Sequence, residues 1–220
     1  MARQACDRDS TSMPAQTISD LQPLIVAIGG TTRPVSTSER MLRCAVKRAR
    51  ESGAEVEVFA APELDLPMYA PDRSYRPPQA AKLIAAMRRA HGVIVSSPGY
   101  HGSISGLVKN ALDYAEDLRE DSPPYWEGRA VGLIACAAGW QATGTTILAM
   151  RAVVHALRGW PTPMGVALNT CINPFSDAGD IADRAVDQQL TILVRQVISF
   201  ARMRMVANFT YEGMSSAHLP

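Results

Sequence analysis

Two short stretches of this chain hold groups suited to gripping an anion and a flat ring. The first is GGTTRPVSTSER, residues 29–40. Two glycines let the backbone turn sharply. Hydroxyls follow at Thr31, Thr32, Ser36, Thr37 and Ser38, with one guanidinium at Arg33. A helical pattern starts at about residue 38, so its free N–H groups and positive dipole end point at the same place. The set makes a cradle for a phosphate monoester. It is not a P-loop, since no Gly-Lys-Ser/Thr follows, and it is not the dinucleotide GxGxxG. Ser36-Thr37-Ser38-Glu39 also fits the capping box. Capping accounts for one hydroxyl and Glu39. It does not account for Arg33 and four further hydroxyls.

The second stretch is SSPGYHGSISGLVKNALDY, residues 96–114. Pro98, Gly99, Tyr100, His101, Gly102 and Ser103 read as a loop with exposed backbone N–H and C=O groups. Such groups pair with the edge of a planar heterocycle, and Tyr100 adds a ring face or a hydroxyl. His101 has two readings, a ligand donor or a solvated loop histidine. Lys109 and Asp113 are four apart on the following helix and read as a surface ion pair, not as catalytic groups. A third loop, CAAGWQATGTT (136–146), has Ala137, Ala138 and Gly139, small enough for close ligand approach. Thr143 is expected to cap the next helix. Trp140 either shields a ring or packs in an oligomer interface. LRGWPTP (157–163) reads as a helix end and turn, with Trp160 in the core.

The elements that position these loops alternate. LIVAI (24–28), GVIVSS (92–97) and AVGLIAC (130–136) are continuously apolar, as strands covered on both faces are. EVEVF (55–59) alternates, which suits an edge strand. GVAL (165–168) is shorter and weaker. Helical spacing spans 38–51, 78–90, 104–118, 143–158 and 181–206. Five strands alternating with five helices predict an α/β fold, a doubly wound five-stranded parallel sheet with helices on both faces. The strand order is 2-1-3-4-5, the flavodoxin-like order. In that order the third strand ends beside the first, and Pro98–Ser103 meets the phosphate cradle. The connection 61–78 holds five prolines and reads either as a functional loop or as a rigid surface wrap.

The totals set limits. At 220 residues the chain needs no disulfide staple. Its net charge of +1, spread along the chain, gives no nucleic-acid stripe and no polybasic membrane patch. Four dispersed cysteines and four dispersed histidines make no metal spacing and fit a reducing cytoplasm. No apolar run is long enough to span a bilayer. Residues 1–22 lack the apolar core of a signal peptide and read as a disordered tail. Residues 23–210 read as one domain and 211–220 as a C-terminal tail.

SPGYHGSISGLVKNALDY resembles the Pro-x-Tyr-x-x-Ser-x-x-Gly-x-x-Lys-Asn-x-x-Asp signature of the NADPH-dependent FMN reductase family, the flavodoxin-like quinone, azo-dye and flavin reductases. The first loop resembles that family's Gly-Ser-x-Arg-x-x-Ser phosphate motif, with Thr31 in the place of the first Ser. The resemblance covers about residues 24–170. It implies that Thr31, Arg33, Ser36, Thr37 and Ser38 hold the FMN phosphate. It further implies that Pro98–Ser103 hold the isoalloxazine, with Ala138, Gly139 and Trp140 in the loop that closes on its pyrimidine end. Two positions depart from the pattern. Gly99 replaces a larger residue, and His101 stands where Asn is common. The implied activity is hydride transfer from NADPH or NADH to bound flavin and on to a small-molecule electron acceptor, with no catalytic side chain. The implied partners are a second copy, in a homodimer or homotetramer, and a flavin-dependent monooxygenase receiving reduced FMN. A flavodoxin-type electron carrier is the alternative, but such carriers are strongly acidic and this chain is not.

Overall fold

The computed structural model describes residues 18–176 and 179–216. Most of the N-terminal tail expected over 1–22 lies outside these, as do residues 217–220 of the expected C-terminal tail. The order of elements is β1 (Leu24–Gly29), α1 (Thr37–Glu51), β2 (Glu55–Phe59), α2 (Pro78–Arg89), β3 (Gly92–Tyr100), β4 (Ser103–Ile104), α3 (Gly106–Asp113), β5 (Ala130–Ala137), α4 (Trp140–Ala156), β6 (Trp160–Asn169) and α5 (Arg184–Ser216). The main sheet is parallel, in the order β2-β1-β3-β5-β6. With the two-residue β4 set aside, this is the expected 2-1-3-4-5.

Side-chain alternation splits the core in two. Val26, Ile28, Val93, Val95, Val131 and Leu133 face α2, α3 and α4. Ile25, Ala27, Ile94 and Ile134 face α1 and α5. Continuous apolar strands are required because both faces are covered. α5 lies very close to the sheet. A β-carbon at Gly132 would sit 2.5 Å from Leu193 Cδ2, and one at Gly92 would sit 2.8 Å from Val197 Cγ1.

Three expectations are corrected. β6 is ten residues long and begins at Trp160, so Pro161 and Pro163 lie inside a strand rather than a turn. An edge strand tolerates proline because one side needs no N–H donor. The prolines coincide with a register shift: Val131 pairs with Pro161, and Leu133 with Gly165. Arg151 Nη2 holds the displaced segment by donating to Thr162 O and Pro163 O, both at 3.0 Å. Trp160 is not core but 60% exposed, packed on Phe200 with ring centroids 5.8 Å apart. Finally, Thr143 does not cap α4. The helix starts at Trp140 behind Gly139, and the Thr143 hydroxyl donates to Trp140 O at 2.8 Å.

The proline-rich connection 61–78 is a pinned wrap. Asn110 is buried on α3. Its Oδ1 accepts from Tyr69 N at 2.8 Å, and its Nδ2 donates to Leu66 O and Pro67 O. Tyr114 donates its hydroxyl to Pro67 O at 3.0 Å. Asp117 accepts from Arg76 Nε at 2.7 Å, Arg76 Nη2 at 2.9 Å and Tyr69 Oη at 3.1 Å. The Arg76 bonds hold the Asp117 carboxyl below its usual range, against the effect of burial.

Candidate functional site

The C-terminal ends of β1, β3, β5 and β6 meet in one cleft of about 310 Å³. In open α/β sheets this is where the connections diverge and leave a crevice. Its floor is the turn from β1 into α1. A β-carbon at Gly29 would fall 2.0 Å from Ser96 O, so only glycine lets β1 run this close to β3. Gly30 N then donates to the same Ser96 O at 3.2 Å. Ser96 in turn donates its hydroxyl to Ser38 O at 2.8 Å, tying the start of α1 to β3.

Ser36 is the N-cap of α1 and accepts from Glu39 N at 3.3 Å. Glu39 turns away from the cleft. Its Oε2 accepts from Val35 N at 3.1 Å, and its Oε1 pairs with Arg43 at 2.6 Å. The capping pattern is therefore real, and it consumes only Ser36 and Glu39. Val35 sits at φ +57, an unusual conformation for a β-branched residue, and Glu39 braces it there. Thr31 Oγ1 accepts from Arg33 N at 3.1 Å, which shapes the turn. The Arg33 guanidinium, and the backbone N–H groups of Thr37 and Ser38, have no acceptor among the described residues. No carboxylate lines the cleft. The result is a patch of positive potential with free donors at a helix start.

Pro98, Gly99 and Tyr100 form the facing wall. They are not a loop, as expected from sequence, but the end of β3. The strand turns over His101 and Gly102 and pairs back, Gly99 with Ile104 and Tyr100 with Ser103. His101 and Gly102 have φ +51 and +82, the backbone of a type I′ hairpin turn. Ser97 locks the base of the hairpin, where its Oγ accepts from Ser105 N at 3.0 Å. Tyr100 is 53% exposed, leaving a ring available at the cleft edge.

The third side is the β5–α4 turn. Asn169 Oδ1 accepts from Gly139 N and from Cys171 N, both at 3.0 Å. This fixes Gly139 at φ +101 and sets Trp140 outward, 62% exposed.

Of the residues singled out from sequence, Thr31, Arg33, Ser36, Thr37, Ser38, Pro98, Gly99, Tyr100 and Ala138 line the cleft. His101, Gly102 and Ser103, and likewise Gly139 and Trp140, sit on the turns bordering it rather than in its lining. Ala137, noted only for its size, and Cys136 and Thr170, given no role, also line it. The signal for the first two was their place at the C-terminal end of an apolar strand. Burial pushes the Cys136 thiol up to about 12, so it is neutral at ordinary pH. Lys109 and Asp113 pair on the surface of α3 and do not line the cleft.

Relatives were found at three levels. The sequence profile described as NADPH-dependent FMN reductase matches residues 23–171. An FMN-dependent NADPH-azoreductase of Staphylococcus aureus is 30% identical over 124 residues, 56% of this chain and 60% of that protein. A similarly described protein of Staphylococcus saprophyticus is 31% identical over 129 residues, 58% and 62% of the two chains. The chain thus spans about 60% of the length of these curated relatives. Among solved structures, a flavoenzyme NAD(P)H:acceptor oxidoreductase of Paracoccus denitrificans superposes with a TM-score of 0.67 at 21% identity, over 83% of this chain and 98% of that one. An oxidoreductase of Corynebacterium diphtheriae gives 0.65 at 15% identity, over 82% and 97%. These two likenesses establish the fold. With the profile covering well over half of its residues, the chain belongs to the NADPH-dependent FMN reductase family.

Proposed function

We propose that this chain is an NAD(P)H-dependent FMN oxidoreductase delivering electrons to a small acceptor such as a quinone, an azo compound or free flavin. One observation carries the reading. The free Arg33 guanidinium and the unused N–H groups of Thr37 and Ser38 converge on a cleft without carboxylates, and the Pro98–Tyr100 wall faces them. That donor set fits a phosphate monoester, and the small residues at 99, 137 and 138 leave room for a flat ring beside it.

Thr31, Arg33, Ser36, Thr37 and Ser38 would hold the FMN phosphate. Pro98–Ser103, with Ala138, Gly139 and Trp140, would border the isoalloxazine. Bound FMN would supply the hydride-accepting and hydride-donating centre, with NADPH or NADH as donor. The protein's own work is orientation. The hairpin fixes Gly99 and Tyr100, and Asn169 fixes Gly139. Burial holds the Cys136 thiol in its neutral form at pH 7. The exposed Tyr100 and Trp140 rings stand at the mouth of the cleft, where a planar donor or acceptor would enter. The same reading extends to a homodimer or homotetramer in the cytoplasm and to a monooxygenase that takes reduced FMN. Among the described residues no helix is long and apolar enough to cross a membrane.

The test is the visible absorption spectrum of the purified chain, before and after FMN and then NADPH. A bound-flavin spectrum that bleaches with NADPH supports a prosthetic flavin. A colourless protein that oxidises NADPH only with added FMN makes FMN a substrate. A colourless protein that binds no flavin and oxidises nothing overturns the proposal.

A further inference from the structure

A second cationic cavity lies at the other end of the sheet, where β1, β3 and β5 begin. It encloses about 200 Å³ and is lined by Arg88, Arg89, His91, Arg129 and Arg204, with Glu127 as its one carboxylate. Counting charge partners shows what is left over. Arg88 pairs with Asp121 at 2.7 Å, and Arg89 with Glu57 at 2.7 Å. Glu127 is engaged by Arg158 at 3.5 Å, outside the cavity lining. Among the described residues Arg129 makes no ion pair. It donates only to backbone carbonyls, Arg88 O at 2.9 Å and Tyr125 O. Arg204 has no hydrogen-bond or ion-pair partner among the described residues. Its guanidinium lies over Gly128, where a β-carbon would stand 3.0 Å from Nη2.

His91 completes the lining. Its Nδ1 accepts from Leu24 N at 3.0 Å, so the ring proton sits on Nε2. Burial and the nearby Arg129 push His91 down, which keeps it neutral and a donor at pH 7. Burial also pushes Arg129 down, and the charge of Asp121 offsets this only in part. Arg129 is half-buried and Arg204 exposed; a cation partly withdrawn from water without a counter-charge gains from one placed beside it.

We propose that this cavity is an anion site built for one phosphoryl-type oxyanion, with Arg129 and Arg204 supplying charge and His91 a neutral donor. A cavity this size holds several waters, and so one tetrahedral ion with part of its shell. The ion would join three segments distant in sequence: the end of α2, the turn before β5, and the C-terminal half of α5. The site is independent of the cleft around Arg33, and of any flavin.

The experiment titrates inorganic phosphate into the full chain at constant ionic strength balanced with chloride. Calorimetry reads binding, and thermal unfolding reads stability. Three proteins are compared: wild type, Arg204→Gln and Arg33→Ala. Arg204 is exposed and makes no bond among the described residues, so its variant is expected to fold. The expected result is a phosphate-specific rise in Tm in the wild type. A binding component should survive in Arg33→Ala and weaken tenfold or more in Arg204→Gln. Three results overturn the proposal: phosphate acting no more strongly than chloride, Arg204→Gln binding like wild type, or all binding disappearing with Arg33→Ala. The last would place the ion in the cleft instead.

Discussion

The hydroxyl of Thr146 on α4 occupies the space a side chain at position 99 would need. A β-carbon there would stand 2.5 Å from Thr146 Oγ1 and 2.9 Å from Ala137 Cβ. Thr146 is not free to swing away, because its hydroxyl donates to Ala142 O at 2.7 Å. This is the physical reason for Gly99, where the resembled pattern has a larger residue. Gly99→Ala is expected to cost about 1–3 kcal/mol, the usual penalty of overpacking. Adding Thr146→Ala should restore part of the loss, since residues in contact couple. Urea unfolding of the four proteins in the cycle checks this. A single variant as stable as wild type would show the contact is loose.

The Arg33 side chain makes no bond to the described residues, so its removal should leave stability unchanged. Its loss should instead weaken FMN. A hydrogen bond to a charged group is worth about 1.5–3 kcal/mol, so Arg33→Ala should raise the FMN Kd by roughly ten- to a hundredfold. Quenching of flavin fluorescence measures the Kd, and a melting curve confirms the unchanged fold. An unchanged Kd would move the phosphate away from α1.

Asp117 gives a pH signature. Its Arg76 bonds hold its pKa below the 3.8 of a free carboxyl. A depressed carboxyl stabilises the fold fully above its unfolded pKa and loses that contribution as pH falls through the folded value. Asp117→Asn should therefore flatten the acid limb of the stability curve below about pH 4. At pH 7 it should cost about 1.5–3 kcal/mol, the worth of bonds to a charged group. Chemical unfolding at pH 3, 5 and 7 tests both parts.

The cysteines should react in a fixed order. Cys171 is exposed, Cys44 is half-buried and Cys136 is buried. Burial also pushes the Cys44 thiol up, and it pushes Cys136 to about 12. Thiolate is the reactive form. Of these three described cysteines, alkylation at pH 8 followed by peptide mass spectrometry should label Cys171 first, and Cys136 only once the protein is unfolded. Early labelling of Cys136 would mean the end of β5 that lines the cleft opens in solution.

What the sequence revealed and what it hid divide along physical lines. The strands β1, β3 and β5 were legible because burial on both faces demands unbroken apolar runs. The capping role of Ser36 and Glu39 was legible because it is local. β6 was hidden by Pro161 and Pro163, which look like a turn unless one knows the strand is at an edge. The hairpin at His101–Gly102 was hidden by the richness of its flanks in proline, glycine and serine, although X-Gly between pairing residues is its signature. Asn110 gave no local sign of its task, because its three partners lie more than forty residues away. Thr170 and Cys136 entered the cleft through strand register, a property of the whole sheet.

The three tryptophans lie at very different depths, and this makes the chain its own optical gauge. Trp126 is fully buried in the hydrophobic layer with α2, α3 and α4, and its indole N–H has no partner among the described residues. Trp140 and Trp160 stand in water at separate places, one beside the cleft and one on the edge strand with Phe200. Blue emission, shielded from iodide, would then report the integrity of one hydrophobic layer. Red emission would divide between a lamp at the mouth of the cleft and another on the far flank. Colour and quenching alone could follow unfolding, ligand entry and self-association separately, with no dye attached.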